Sequence, residues 1–357
     1  HRTNSRCFTS QKLVQLNKAF LNYHGGINQV DSAFCVPLMQ RKFGIDPQLI
    51  IGSEHADDAV VYALNDWEAL VSTTDFFTSV VDDPQSFGKI AAANALSDVY
   101  AMGANPMVAL SILGWPTEYL GVERAKQVLQ GAQEQCRLAG ILIAGGHSIE
   151  SSEPFFGLMV NGRIQRANIC YNHTLKDGDQ LILTKAIGSG IYAKAFKSEG
   201  LLEPHYSEWL HQMIQLNEIG SVLAQHQLVH AMTDITGFGL GGHLLEMLKP
   251  KGFSAEISIQ QIPVLPMFND YASRYGYPDA LFKNWNAIKS FVNTVHKTPS
   301  SDVFAKLSDP QTSGGLLCSV APEKINLFKD LCQKHQQAFW IIGRVYRSEE
   351  VKISVID

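Results

Sequence analysis

Aspartates stand among apolar or small residues at Asp57-Asp58, Asp75, Asp98 and Asp234. Their settings read Ala56-Asp57-Asp58-Ala59-Val60-Val61, Ser72-Thr73-Thr74-Asp75-Phe76-Phe77, Asn94-Ala95-Leu96-Ser97-Asp98 and Met232-Thr233-Asp234-Ile235-Thr236. A carboxylate in core-forming company is costly unless a cation or a set of hydrogen bonds offsets its charge. One such residue is ordinarily a satisfied turn; several in one chain point to a shared metal site. Hard cations such as Mg²⁺ take carboxylate oxygens and keep water and substrate phosphates as their other ligands, so a polyphosphate nucleotide is the expected substrate. Neither Gly-x-x-x-x-Gly-Lys-Ser/Thr nor Gly-x-Gly-x-x-Gly occurs, so phosphate would be held by cation-bridged carboxylates and glycine amides instead.

Three glycine-containing segments could supply those amides, and each has a plainer reading. Gly145-Gly146-His147-Ser148 follows an apolar strand and either presents N–H groups and a hydroxyl to phosphate or is a structural turn. Thr236-Gly237-Phe238-Gly239 either approaches a ligand or opens a helix, and Gln311-Thr312-Ser313-Gly314-Gly315 is either an anion nest or a loop. Gly188-Ser189-Gly190 reads as a turn. His55 and His147 either act on a proton or phosphate oxygen or are simply packed or exposed.

The elements that must position these residues follow from periodicity. Strands are expected at 49–52, 59–64 and 69–77, with Asn65-Asp66 as the turn that places Asp75 near a strand end. Residues 88–102 are rich in helix formers and stop at Gly103. Asn94 and Asp98 are four apart and share one helix face, and the alanines make that helix thin enough to lie close against a sheet. Further strands are expected at 107–113, 141–144 and 155–164, and a helix at 122–139. The domain boundary falls at 165–168. Beyond it come a strand at 180–184, helices at 191–197, 209–223 and 242–248, a strand at 316–320, a helix at 322–335 and a final strand at 338–345. Strands and helices mix without strict βαβ alternation, which gives an α+β class. Residues 11–20 suggest a short helix or arm.

With 357 residues the chain can bury two cores. No apolar run approaches the roughly 20 residues of a membrane-spanning helix, and no secretory signal is visible, so a cytoplasmic protein with no membrane partner is expected. A net charge of −5 without basic runs argues against nucleic acid. Cys7, Cys35, Cys136, Cys170, Cys318 and Cys332 are scattered without Cys-x-x-Cys spacing and read as ordinary thiols.

Taken together, His55-Ala56-Asp57-Asp58-Ala59, Ser72-Thr73-Thr74-Asp75-Phe76-Phe77, the run from Asn94 to Gly103, Ile112-Leu113-Gly114-Trp115-Pro116, Ala144-Gly145-Gly146-His147-Ser148, Thr233-Asp234-Ile235-Thr236-Gly237-Phe238-Gly239 and Asp309-Pro310-Gln311-Thr312-Ser313-Gly314-Gly315 resemble the selenophosphate synthetase (selenide, water dikinase) family. The resemblance runs from about residue 51 to the C-terminus. It implies a two-domain α+β chain with the aminoimidazole ribonucleotide synthetase-like fold: an arm at 1–50, an ATP- and metal-binding domain at 51–166 and a C-terminal domain at 167–357. It also implies a homodimer whose N-terminal sheets pair into a barrel with ATP sites at the interface.

By position, Asp58, Asp98 and Asp234 would hold magnesium with Asp75 assisting. His55, Ala56, Asp57, Asp75, Asn94, Asp98, Gly146, His147 and Ser148 would contact ATP. The implied reaction is ATP + selenide + water → selenophosphate + phosphate + AMP, with Mg²⁺ and K⁺ required, supplying selenium for selenocysteine and seleno-tRNA. A selenium-delivery protein is an implied partner.

The departure is N-terminal. The family carries a cysteine or selenocysteine in a glycine-rich segment with a lysine three residues later, whereas the window here reads Asn22-Tyr23-His24-Gly25-Gly26-Ile27-Asn28-Gln29. That leaves the catalytic nucleophile unassigned, through either an absent segment or a variant. An ADP-forming kinase of the same superfamily and a nucleotide-binding regulatory protein are the alternatives.

Overall fold

The computed structural model describes residues 46–52, 56–294 and 300–356. The first sheet contains β1 (Leu49–Ile51), β2 (Val60–Ala63), β3 (Glu68–Thr78), β4 (Asn105–Trp115), β5 (Ile143–Glu150) and β6 (Phe155–Gln165) in the order β1-β2-β3-β6-β4-β5. All its pairs are antiparallel except β4–β5. Helices α1 (Pro84–Ala101) and α2 (Thr117–Leu138) belong to the same half. α1 starts four residues earlier than the alanine run suggests, because Asp83 caps it by accepting from the Ser86 amide at 2.7 Å and Pro84 fits the first turn.

α1 is buried on nearly every side. One flank meets the first sheet and α2; the other meets elements of the second half. Its small residues make this possible, since Ala91, Ala92, Ala93 and Ala95 are all buried. Ile90 and Leu96, fully enclosed, each contribute roughly 2 kcal/mol through burial. The crossing of α1 and α2 is close: a Cβ on Gly88 would stand 1.9 Å from the Val128 carbonyl oxygen, and one on Gly131 1.9 Å from that of Gln85. That fit fixes the rotation of α1 about its axis, and with it the direction in which Asn94 and Asp98 face.

The second half contains β7 (Gln180–Leu183), α3 (Ser189–Lys197), α4 (Glu203–Ile214), α5 (Ile219–Gln225), β8 (Val229–Asp234), α6 (Gly239–Leu248), β9 (Phe253–Ser258), α7 (Phe268–Tyr275), α8 (Asp279–Ile288), β10 (Val292–Thr294), α9 (Ser301–Ser308), β11 (Leu316–Val320), α10 (Ile325–Lys334), β12 (Trp340–Arg347) and β13 (Ile353–Ile356). Its strands form one mixed sheet, β10-β13-β9-β12-β7-β11-β8. Cys170, Cys318 and Cys332 share one apolar cluster of this half, and Cys136 lies in the cluster beneath the first sheet.

Several expectations need correction. The single helix at 209–223 is two, α4 and α5, interrupted at 215–218. The strand at 338–345 is not the last, since β13 follows it and pairs parallel with β9. The segment Gly145-Gly146-His147-Ser148 is not a turn after a strand; it lies inside β5, paired with β4 through Leu110↔Gly145 and Leu113↔Ser148. Glycine breaks a strand only when no neighbour supplies the ladder, and here β4 supplies it.

Candidate active site

Four carboxylates from both halves of the molecule converge beside α1. Asp75 lies on β3, on the face that Val71 and Thr73 share, and that face meets α1. Asn94 and Asp98 sit one turn apart on α1, Asp58 lies just ahead of β2, and Asp234 ends β8 of the second sheet. Each is steadied by a donor from another element. Thr73 Oγ1 donates to Asp98 Oδ2 at 2.6 Å, Thr233 Oγ1 to Asp58 Oδ1 at 2.7 Å and Ser97 Oγ to Asp234 Oδ2 at 2.5 Å. Asn94 Nδ2 donates to Asp75 Oδ2.

These hydrogen bonds do not balance the charge. Withdrawal from water, then the charge of Asp234, pushes the Asp58 and Asp98 carboxyls well above the usual range, and the same two causes raise Asp75 to about 6. Burial also raises Asp234, opposed by Ser97, His243 and Lys185. Asp58 Oδ2 is shielded and has no hydrogen-bond partner. Four such groups ionise together only when positive charge is added.

The donor set is all hard oxygen, which suits Mg²⁺ better than a softer metal. Among the described residues no three acidic, histidine or cysteine side chains close into a ready-made cage. An ion here would therefore take part of its shell from water or phosphate, as Mg²⁺ does.

Two residues outside the sequence motifs, Lys185 and Asn217, complete the cleft with the Ser313 amide. Lys185, 3% exposed, donates from Nζ to the carbonyls of Gln215 at 2.7 Å and Ser313 at 2.9 Å. Burial holds its pKa down to about 7 against the pull of Asp234. Asn217 Nδ2 bridges Ser97 Oγ at 2.7 Å and the Gly314 carbonyl at 2.8 Å. The Ser313 amide donates to Asn94 Oδ1 at 2.9 Å, so the 313–314 turn of the second half grips α1 of the first.

The segment 311–315 is not an open anion nest. Gln311 Oε1 accepts from the Gly188 and Ser189 amides, each at 3.1 Å, and Asp309 Oδ2 accepts from the Gly190 amide at 3.1 Å. The amides of Gly188-Ser189-Gly190 are thus capped internally. Burial first of all raises the Asp309 carboxyl to about 7. The Thr236 amide is likewise engaged, by His243 Nε2 at 3.2 Å, where the chain turns into α6.

Gly146, His147 and Ser148 do not reach the carboxylates within one chain. Sheet register places Asp75, Leu158, Ser111 and Gly146 in one cross-strand row, so Gly146 is three strands, roughly 14 Å, from Asp75. His147 falls in the row of Phe76, Gly157 and Ile112, on the opposite sheet face. Ala56 has φ of 52°. Asp57 is bound to Asn172 rather than to the other carboxylates, its Oδ1 accepting from the Asn172 amide at 2.9 Å. His55 and the window 22–29 lie outside the described residues.

Two family models match the chain: the N-terminal domain of AIR synthase related protein over residues 56–164 and the C-terminal domain over residues 176–356. A selenide, water dikinase of Shewanella sp. (strain MR-4) is 44% identical over 291 residues, covering 82% of this chain and 82% of that protein. One of Colwellia psychrerythraea is 43% identical over 312 residues, covering 87% and 90%. The chain belongs to the selenide, water dikinase family. Its fold is shared more widely. Thiamine monophosphate kinase from Aquifex aeolicus superposes with a TM-score of 0.64 at 18% identity, covering 98% of each chain. Hydrogenase maturation protein HypE in complex with ATP gives 0.61 at 17%, covering 85% of this chain and 82% of that one.

Proposed function

We infer that this chain is a phosphotransferase making selenophosphate from selenide and ATP, with AMP and phosphate as the other products. Its kinship with selenide, water dikinases over most of both chains carries the reading. The converging carboxylates supply a site whose chemistry suits it.

Asp58, Asp98 and Asp234, with Asp75 beside them, would hold Mg²⁺. The bound ion would supply the positive charge that draws phosphate oxygens into an acidic cleft. The chain's own part is orientation. Thr73, Ser97 and Thr233 each hold one carboxylate oxygen and leave the rest of that group to face a ligand. Asn94 holds Asp75 and the Ser313 amide together, which ties the second half to the cleft. Of the residues that the resemblance assigns to ATP, Ala56, Asn94, Asp75 and Asp98 would keep that role within one chain, Asp57 being bound to Asn172 instead, and K⁺ would be a further requirement.

Gly146, His147 and Ser148 would serve the cleft of a second copy. The sheet face away from α1 exposes Val60, Phe76 and Leu110, and cross-strand register puts the half-buried Met159 in the same row as Leu110. Among the described residues nothing covers it, which suits a homodimer built sheet to sheet. The domain division is 51–166 and 167–357, and a selenium-delivery protein is the remaining partner.

Product analysis by ³¹P NMR, with ATP, Mg²⁺ and K⁺ and with or without anaerobic selenide, tests the reading. Selenide-dependent AMP with a selenophosphate resonance is expected. ADP as the end product, or turnover indifferent to selenide, would overturn it.

A further inference from the structure

Asp57 and Asp58 are neighbours with different surroundings. Asp58 shares the cleft with Asp98 and Asp234 and takes the Thr233 hydroxyl at 2.7 Å. The Asp57 side chain is 2% exposed, and its partners come from the segment joining the two sheets. Its Oδ1 accepts from the Asn172 amide at 2.9 Å and stands 3.6 Å from His173 Nδ1. Asn172, itself buried, also donates from Nδ2 to the Ala56 carbonyl at 2.8 Å. One residue therefore grips both sides of the Ala56–Asp57 step.

That grip has a conformational job. Ala56 has φ of 52°, a left-handed conformation that a residue with a Cβ keeps only when its surroundings hold it. The held step sets where the next side chain emerges, and the next side chain is Asp58. On its far side Asp58 meets Thr233 of the second sheet, so its placement depends on contacts that span both halves.

We propose that Asp57 is a positioning residue, a latch to Asn172 and His173 that sets the place of Asp58 in the acidic cleft, and not itself a ligand of metal or nucleotide. The proposal rests on reading the cleft as a metal and ATP site, and its test does not need selenide.

Mn²⁺ binding followed by electron paramagnetic resonance, with and without ATP, compares Asp57→Ala with Asp57→Asn. An asparagine keeps an acceptor oxygen for the Asn172 amide but loses the charge a ligand would need. The latch predicts that Asp57→Ala weakens Mn²⁺ binding about tenfold while Asp57→Asn restores most of it, as for groups that orient metal ligands. Equal loss in both variants would make Asp57 a ligand and overturn the proposal. A lowered melting temperature in Asp57→Ala with unchanged Mn²⁺ and ATP binding would reduce Asp57 to a structural role and also overturn it.

A thermal double-mutant cycle between Asp57→Ala and Thr233→Ala gives a second reading that needs no ligand. Coupling is expected, because a displaced Asp58 no longer uses the Thr233 hydroxyl; additivity would contradict the latch. If wild-type protein turns over ATP without regard to selenide, the assigned reaction fails while both measurements still decide the latch.

Discussion

Asp179, at the foot of β7, accepts from His230 Nδ1 at 2.9 Å, Ser319 Oγ at 2.6 Å and the Lys176 amide at 2.9 Å. In the cleft beside α1, Asp58, Asp75, Asp98 and Asp234 accept from one side-chain donor apiece among the described residues. Asp179 and Asp234 are about equally enclosed, at 1% and 2% exposure. What separates them is who supplies the compensation. The fold supplies it at Asp179 and joins β7, β8 and β11 through it. In the cleft the fold gives each carboxylate one hydroxyl or amide, adds the other carboxylates as repelling neighbours, and leaves the remaining compensation to a ligand.

Removing one charge from each centre breaks the comparison most directly. Asp234→Asn is expected to lower Mg²⁺-dependent ATP turnover by roughly 10³-fold, the scale of a lost ligand to a phosphate-binding cation. The melting temperature of the metal-free variant should hold or rise, because a source of repulsion has gone; steady-state kinetics with calorimetry checks both. Asp179→Ala should do the opposite. It strands Ser319 and His230 without their acceptor and costs about 3 kcal/mol of stability, while MgATP affinity stays at the wild-type value in isothermal titration. If Asp179→Ala lost affinity and kept stability, the two centres would not differ as argued.

Proton linkage sharpens the contrast. Asp75 titrates at about 6 in the folded chain against an ordinary 3.8, and Asp58, Asp98 and Asp234 are raised in the same direction. The folded protein therefore binds more protons than the unfolded one above pH 4, and these groups cost metal-free stability increasingly as pH rises through 6. Mg²⁺ competes with those protons. The gain in melting temperature on adding Mg²⁺ should thus grow between pH 5 and pH 8, as differential scanning fluorimetry can show; a gain that shrinks over that range would contradict the cleft as the binding site. The smallest effect is expected from Asn94→Ala, which frees Asp75 and the Ser313 amide without changing charge. About a tenfold weaker Mn²⁺ affinity, with little change in kcat at saturating metal, would mark Asn94 as an orienting group.

The centre that needs a ligand was also the more legible one. Asn94 and Asp98 advertise themselves by i, i+4 spacing on an alanine-rich helix, and Asp75 by a short turn that ends its hairpin partner. A carboxylate in core-forming company looks anomalous, and the anomaly is the signal. The donors were harder to see. Ser97, Thr233, Asn217 and Lys185 are unremarkable polar residues whose partners are not neighbours in sequence: Lys185 and Gln215 are 30 positions apart, Asn217 and Gly314 97, and Thr233 and Asp58 175. Nothing in Asp57-Asp58 says which member faces the cleft, because the answer depends on Asn172. Gly145-Gly146 reads as a break for the same reason: β4, which keeps it extended, is distant in sequence.

The cysteines buried in both apolar clusters have a practical chemical meaning. Burial pushes the thiols of Cys136, Cys170 and Cys332 up to about 12 and raises that of Cys318 well above the ordinary thiol range. Alkylating reagents need an accessible thiolate, so these four stay silent at neutral pH while the chain is folded. Any thiol that iodoacetamide labels in the native protein is then Cys7 or Cys35. A single mass-spectrometric peptide map, with and without ATP, would report on the N-terminal stretch that holds these two thiols, free of background from the four buried ones.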